Sequence, residues 1–317
     1  MILKRLTPAW FLIIPVVGAL AVAALQNTSA QKEKSAEKVG PKDGEKKKAP
    51  QVTVTAPSTE LNHQGIQEDF PAMCINEEGK PIIAFIDHSE GFDSLKIAEL
   101  LNGKLSPVAT VSAEGITNIT QPCLTMMPSG RHLCVWSQLE QDGQWDLWAR
   151  VIGRHGKAVL GKPVRLTKSP GNDIFPDLGT DRHGKVWVTW QHLKDRVANV
   201  MAKYGEDDPV NWADAIAVTD GVGGGDWEPR LAFGAGEEAL IVFDSYRTGD
   251  FDLYLTRVSP DGSVGVPIAL AQTERYEARG EAAASADGKT LWVAYEDGVK
   301  HWGKDLGSEW RKKGGGL

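Results

Sequence analysis

Asp173-Ile174-Phe175-Pro176-Asp177-Leu178-Gly179-Thr180-Asp181-Arg182-His183-Gly184-Lys185-Val186-Trp187-Val188-Thr189-Trp190-Gln191 is the stretch that decides the fold. Residues 176–180 read as a short strand and 181–184 as a hairpin turn. Residues 185–190 alternate polar and apolar side chains, as a half-buried strand does. Residues 199–202 supply a third strand and 215–219 a fourth, and a glycine-rich loop over 220–226 leads onward. The unit recurs. A proline is followed fourteen residues later by an aromatic in Pro71/Phe85, Pro122/Trp136, Pro176/Trp190 and Pro229/Phe243. A fifth copy puts Glu281 in the proline slot and ends on Tyr295. Successive copies start 51, 54, 53 and 52 residues apart. A period near fifty, with several short apolar strands per repeat, is the mark of a β-propeller.

The other copies carry matching parts. Turns recur at Asn76-Glu77-Glu78-Gly79, Pro128-Ser129-Gly130, Gly234-Ala235-Gly236 and Ala286-Asp287-Gly288. Third strands recur at Phe92-Asp93-Ser94-Leu95, Trp145-Asp146-Leu147-Trp148 and Phe251-Asp252-Leu253-Tyr254. Beyond the N-terminus no segment sustains a 3.6-residue apolar period. The expected fold is all-β, a β-propeller of four-stranded blades with about five blades visible, four complete and one partial. Its repeats start near residues 66, 116, 171, 224 and 276. Blades are wedges packed face to face, so the periodic aromatics are expected to fill the spaces between them. Residues 297–317 show no clear third or fourth strand, whereas Val52-Thr53-Val54-Thr55 looks like a strand that closes the last blade. One strand is still missing, which suggests a chain cut short.

The ends and the charge bound the function class. Lys4 and Arg5 precede an apolar run over 8–25, which reads as an export signal or an N-terminal membrane anchor over residues 1–25. Residues 26–50 form a disordered Lys-rich linker with seven lysines and four acids, leaving 51–317 as the propeller domain. Setting aside Lys4, Arg5 and the linker charges leaves 26 basic and 38 acidic residues, a net charge of about −12. A surface this acidic repels a phosphate backbone, so nucleic acid is not an expected partner. The membrane enters only through residues 1–25. The expected location is outside the cytoplasm: periplasmic, secreted or anchored facing outward. Three cysteines are too few for a disulfide framework. Cys123 and Cys134, symmetric about the turn at Pro128-Ser129, are read as buried free thiols, with a bridge between them as the alternative.

Loops leading into each first strand and out of each second strand should converge on one face and line a polar, mostly acidic mouth. The candidate binding residues there are Asp69, Asp87, Asp173, Gln191, Asp226, Glu228, Asp244, Arg247, Arg279 and Glu296. Acids in such loops also cap turns. Asp226 and Glu228 carry the paired carboxylates that glycoside cleavage uses, but sequence gives no separation for them. Asp142, Asp146, Asp250 and Asp252 match no calcium loop. HExxH and CxxC spacings, a G-x-S-x-G elbow and a phosphate loop are all lacking. No metal, cofactor or catalytic residue is expected, and the partner is a protein, a carbohydrate or another ligand.

Over residues 66–296, the repeat Asp173-Ile174-Phe175-Pro176 through Trp190-Gln191, with Phe251-Asp252-Leu253-Tyr254, resembles the TolB-like and sialidase-type (BNR) propellers of secreted bacterial proteins. The resemblance implies a ligand-binding propeller, which in such proteins is often the N-terminal part of a longer chain. Its C-terminal partner there is sometimes a metal-dependent hydrolase. A sialidase would need an arginine triad, for which Arg230, Arg247 and Arg279 are the candidates, with Tyr246, Tyr276, Glu277 and Asp226 nearby. The Asp-box is not intact; Thr180-Asp181-Arg182-His183-Gly184-Lys185-Val186-Trp187 only approaches it. The leading expectation is therefore an exported, non-catalytic binding module, and a sialidase-like or glycosidase-like hydrolase is the alternative.

Overall fold

The computed structural model describes residues 2–4, 19–26 and 67–299, apart from 90, 107, 108, 117, 157 and 222–224. Each proline-to-aromatic unit folds as a hairpin. In the third copy Asn172–Thr180 pairs antiparallel with Val186–Lys194. The turn is held by Asp181, whose Oδ1 accepts from the backbone N–H of His183 (2.8 Å) and Lys185 (2.9 Å) while Oδ2 accepts from Trp187 Nε1 (3.0 Å). A buried carboxylate thus satisfies a tight turn and a core indole together.

Four antiparallel sheets follow one plan. The first is Gln67–Ile75, Pro81–Ser89 and Phe92–Leu101, with Lys104–Leu105 and Ala109–Thr110 both pairing with the third strand. The second is Ile119–Met126, His132–Leu139, Trp145–Ile152 and Val159–Arg165. The third adds Val197–Gly205 and the short Ile216–Ala217 to its hairpin, with a 3₁₀ turn at Pro209–Asn211 between them. The fourth is Asp226–Phe233, Ala239–Ser245, Asp252–Val258 and Ile268–Ala271. The fifth blade contributes the hairpin Glu277–Ala284 and Thr290–Asp297. The N-terminal segments Ile2–Lys4 and Ala19–Gln26 both run antiparallel to Thr290–Asp297. The fold is an all-β propeller. The linker, the strand expected at Val52-Thr53-Val54-Thr55 and the tail from residue 300 lie outside the described residues.

Two expectations need correction at the first strands. These strands do not start at the proline but three or four residues earlier, so the leading-in residues 172–175, 226–228 and 277–279 belong to strands rather than loops. They continue past the proline through a bulge that recurs in every blade, between Asp69/Ala72, Thr120/Cys123, Ile174/Asp177, Trp227/Arg230 and Ala278/Glu281. One residue of each bulge is left-handed: Phe70 (φ 48°), Gln121 (φ 53°), Phe175 (φ 56°), Glu228 (φ 47°) and Arg279 (φ 54°). Non-glycine residues pay for that conformation, on the order of 1–3 kcal/mol each, and hold it only where the surroundings over-determine it. The same register shows that the proline slot of the fifth blade is Gly280, not Glu281. Glu281 instead pairs with Ala294, as Arg230 pairs with Val242 and Asp177 with Thr189. The fifth hairpin turn is one residue longer, which hid the match.

The periodic aromatics pack between blades as expected. Trp136 is fully buried with Ile82, Ala84 and Ile86 of the first blade, and Trp190 packs on Leu133 and Val135 of the second. Phe243 faces Trp187 and Val200 of the third blade, and Tyr295 faces Val242 and Leu253 of the fourth. Leu124, Leu178 and Leu231 reinforce these seams at 8–9% exposure, whereas Met73, in the same register of the first blade, is 62% exposed. That face of the first blade lies open among the described residues.

The cysteines are free thiols. Cys134 pairs with Leu124, and Cys123 pairs with Val135, so the two sulfurs point to opposite faces of one hairpin and a bridge between them is ruled out. Cys134 lies in the seam between the first and second blades, and Cys123 packs against the seam between the second and third. Burial pushes the Cys74 thiol up to about 12 and raises Cys123 and Cys134 as well.

Candidate functional site

Every first strand begins and every second strand ends on the same side of the molecule, because each pair is antiparallel. That side is the mouth. Three residues before each proline slot stands an acid in four of the five blades: Glu68, Asp173, Asp226 and Glu277, with Ile119 in the second. Their second-strand partners are Asp87, His192, Ser245, Asp297 and Gln138.

Most of these acids are built into the fold. Asp173 is 1% exposed, and its Oδ1 accepts from Trp190 Nε1 and is hydrogen-bonded to His192 Nδ1, both at 2.7 Å. Asp226 is fully buried and binds Arg247, whose Nη2 donates at 3.0 Å while Nε donates to Ser245 Oγ at 2.8 Å. The Arg247 guanidinium lies over Tyr254, 4.4 Å from the ring centroid, a desolvated cation–π contact. Glu277 accepts from the Thr273 hydroxyl and backbone N–H, and burial raises its pKa despite those bonds. Asp252, level with Ser245 on the neighbouring strand, is also fully buried, accepts from Thr248, and is raised by burial. Of the remaining candidates, Asp69 accepts from the N–H of Phe70 in its own bulge at 2.9 Å, Gln191 is buried on the second strand, and Asp87 is half-buried.

Fourth- and fifth-blade candidates come together at the lip. Arg279 donates to both Glu296 oxygens at 3.1 and 3.4 Å, with both side chains a little under half exposed. The Arg279 backbone N–H, turned inward by its left-handed φ, donates to Asp244 Oδ2 at 3.0 Å. Glu228 and Tyr276 act electrostatically on the same arginine. Bulge residues of neighbouring blades also meet elsewhere: Phe175 N–H donates to Gln121 Oε1 at 2.9 Å. The lip is therefore a ring of side chains lifted by the five bulges, acidic on its fourth- and fifth-blade side.

The three arginines do not form one cluster. Arg247 stacks on the face of the fourth blade that meets the third, whereas Arg230 leaves the opposite face to bind Glu281 of the fifth blade at 2.9 Å. Arg279 belongs to Glu296. Glu277 and Asp252 are not among the mouth candidates read from sequence, where they appear only beside the arginine triad and against a calcium loop. Around a cavity of about 560 Å³ beside the second blade, Glu140, Trp148 and Arg165 were also passed over. Asp146, one of the aspartates weighed for calcium, is occupied by Arg165 and Thr167.

No protein-family model matches the sequence, and no curated protein is detectably similar to it. Solved structures share the fold. A protein of unknown function from Dyadobacter fermentans aligns at 12% identity over 78% of this chain and 83% of its own, with a TM-score of 0.57. The α-L-arabinanase of Penicillium chrysogenum, complexed with arabinobiose, aligns at 14% identity over 75% and 80%, with a TM-score of 0.55. A PL25 ulvan lyase aligns at 10% identity over 72% and 62%, with a TM-score of 0.53. At these identities the likeness establishes a β-propeller and nothing about activity.

Proposed function

We propose that the protein is an exported, non-catalytic β-propeller that captures a basic segment of a protein partner at its mouth. The observation that carries this reading is the acidic lip, where Glu228 and Glu296 face the guanidinium of Arg279 while buried Asp244 holds the Arg279 backbone N–H, on a backbone fixed by strained bulges. Rigid bulges hold these groups in place before a ligand arrives, which lowers the ordering cost of binding. The net charge of about −12 over residues 51–317 steers a basic partner toward it. The apolar run over 8–25 after Lys4 and Arg5 supports export.

Hexalysine peptide titrated into the full chain should bind saturably, and Glu228→Gln or Glu296→Gln should weaken binding several-fold. Equal binding of hexaglutamate would contradict the reading. A hydrolase is the second reading, supported by the fold shared with an arabinanase and by Glu277, a carboxyl that burial pushes toward the protonated form a general acid needs. Release of reducing ends from arabinan, abolished by Glu277→Gln, would establish it in place of the first.

A further inference from the structure

The cavity of about 560 Å³ lies off the central axis, at the mouth-side end of the seam between the first and second blades. One wall is apolar: Ile116, Pro163 and the indole of Trp148, which also packs against the core of that seam. The other wall is a hydrogen-bonded relay rooted in the interior. Buried Trp136 donates through Nε1 to Gln138 Oε1 (3.2 Å), and Gln138 Nε2 donates to Glu140 Oε1 (3.2 Å). Trp148 Nε1 donates to that same oxygen at 2.8 Å, which fixes the indole's orientation. Arg165 stands 3.7 Å from Glu140 Oε2, and its Nε donates to buried Asp146 at 2.9 Å.

We propose that this cavity is a binding site for a neutral saccharide, separate from the mouth. A sugar ring has an apolar C–H face and an edge of hydroxyls that both donate and accept, and the two walls match those surfaces. The volume falls in the range of small-molecule sites, with an aromatic wall and a few fixed polar groups. Carboxylates outnumber cations at the cavity: Arg165 is shared between Asp146 and Glu140, and Asp142 accepts from Gln144 N–H at 3.0 Å. That excess disfavours an anionic ligand such as an acidic sugar, and the one guanidinium already has carboxylate partners, so an uncharged ligand would bind through hydrogen bonds. Glu140 Oε2 and the Arg165 edge beside it are the groups positioned to grip hydroxyls, while Trp148 carries the ring.

The test is calorimetric titration of the full chain with cellotriose, maltotriose and α-1,5-arabinotriose, and with tetramethylammonium as a cationic probe for the aromatic wall. At least one trisaccharide should bind at millimolar concentration or below. Glu140→Gln, nearly isosteric, should weaken it about tenfold. Ala113→Trp, which fills the cavity from an exposed lining position, should abolish binding without touching the core. Arg279→Ala at the lip should leave it unchanged. Binding of tetramethylammonium alone, no saccharide binding, or saccharide binding that survives Ala113→Trp or falls with Arg279→Ala would each overturn the proposal. Thermal melting of each variant distinguishes a blocked site from an unfolded one.

Discussion

At the residue scale the buried acids set the behaviour. Asp226 has no exposure, and its charge is offset by Arg247, which itself rests on Tyr254. Asp226→Ala leaves that guanidinium without its carboxylate, and a loss of about 3 kcal/mol in urea unfolding is expected. Asp252 and Glu277 act through protonation. Burial raises both above their ordinary values of 3.8 and 4.5, so the native state binds protons more tightly than the unfolded chain. Their contribution is fully present below the ordinary carboxylate pKa and is lost as pH rises through the higher folded value. Melting temperature measured from pH 4 to 8 should therefore carry a downward component, and Asp252→Asn should flatten it. The thiols behave as buried groups. With Cys74 near 12 and the other two raised, none should react with a disulfide reagent at pH 8 until the chain is unfolded, when all three should.

At the element scale the recurring bulge is the device that sequence reading missed. The prolines, turn residues and aromatics were legible because each answers to a local rule: a fixed φ, a tight turn, a large apolar side chain every blade. A left-handed Phe70 or Phe175 directly before a proline breaks the usual preference of that position for extended backbone, so no local signal marks it. Only the paired register reveals it, as it reveals Gly280 in the slot that Glu281 held by counting. Gly280 has its own reason to be there. A Cβ at this position would stand 2.6 Å from Leu253 and 2.9 Å from Val242, both side chains of the fourth-blade seam. Gly280→Ala should cost about 1–3 kcal/mol through overpacking, read as a lower urea midpoint. The candidate site was legible in part for the same reason. Acids at the mouth stand out in sequence, but whether one anchors an indole like Asp173, holds a neighbouring blade's bulge like Asp244 or faces a ligand depends on partners far along the chain.

At the scale of the whole molecule, five wedge-shaped units share one seam chemistry and divide their polar residues by position. Acids deep in the seams stabilise loops and arginines, and those at the lip of the fourth and fifth blades remain accessible. The excess of acid over base in residues 51–317 extends that local field beyond the mouth. Capture of a basic segment by such a surface should be strongly dependent on ionic strength, since exposed charges are screened over about 8 Å at physiological salt. The most direct measurement is the affinity of the full chain for hexalysine at low and physiological salt, for the wild type and for Glu228→Gln/Glu296→Gln. The account predicts saturable binding that weakens with salt, weakens several-fold further in the double variant, and produces no turnover of glycans. Binding indifferent to both carboxylates, or arabinan cleavage that depends on Glu277, would contradict it.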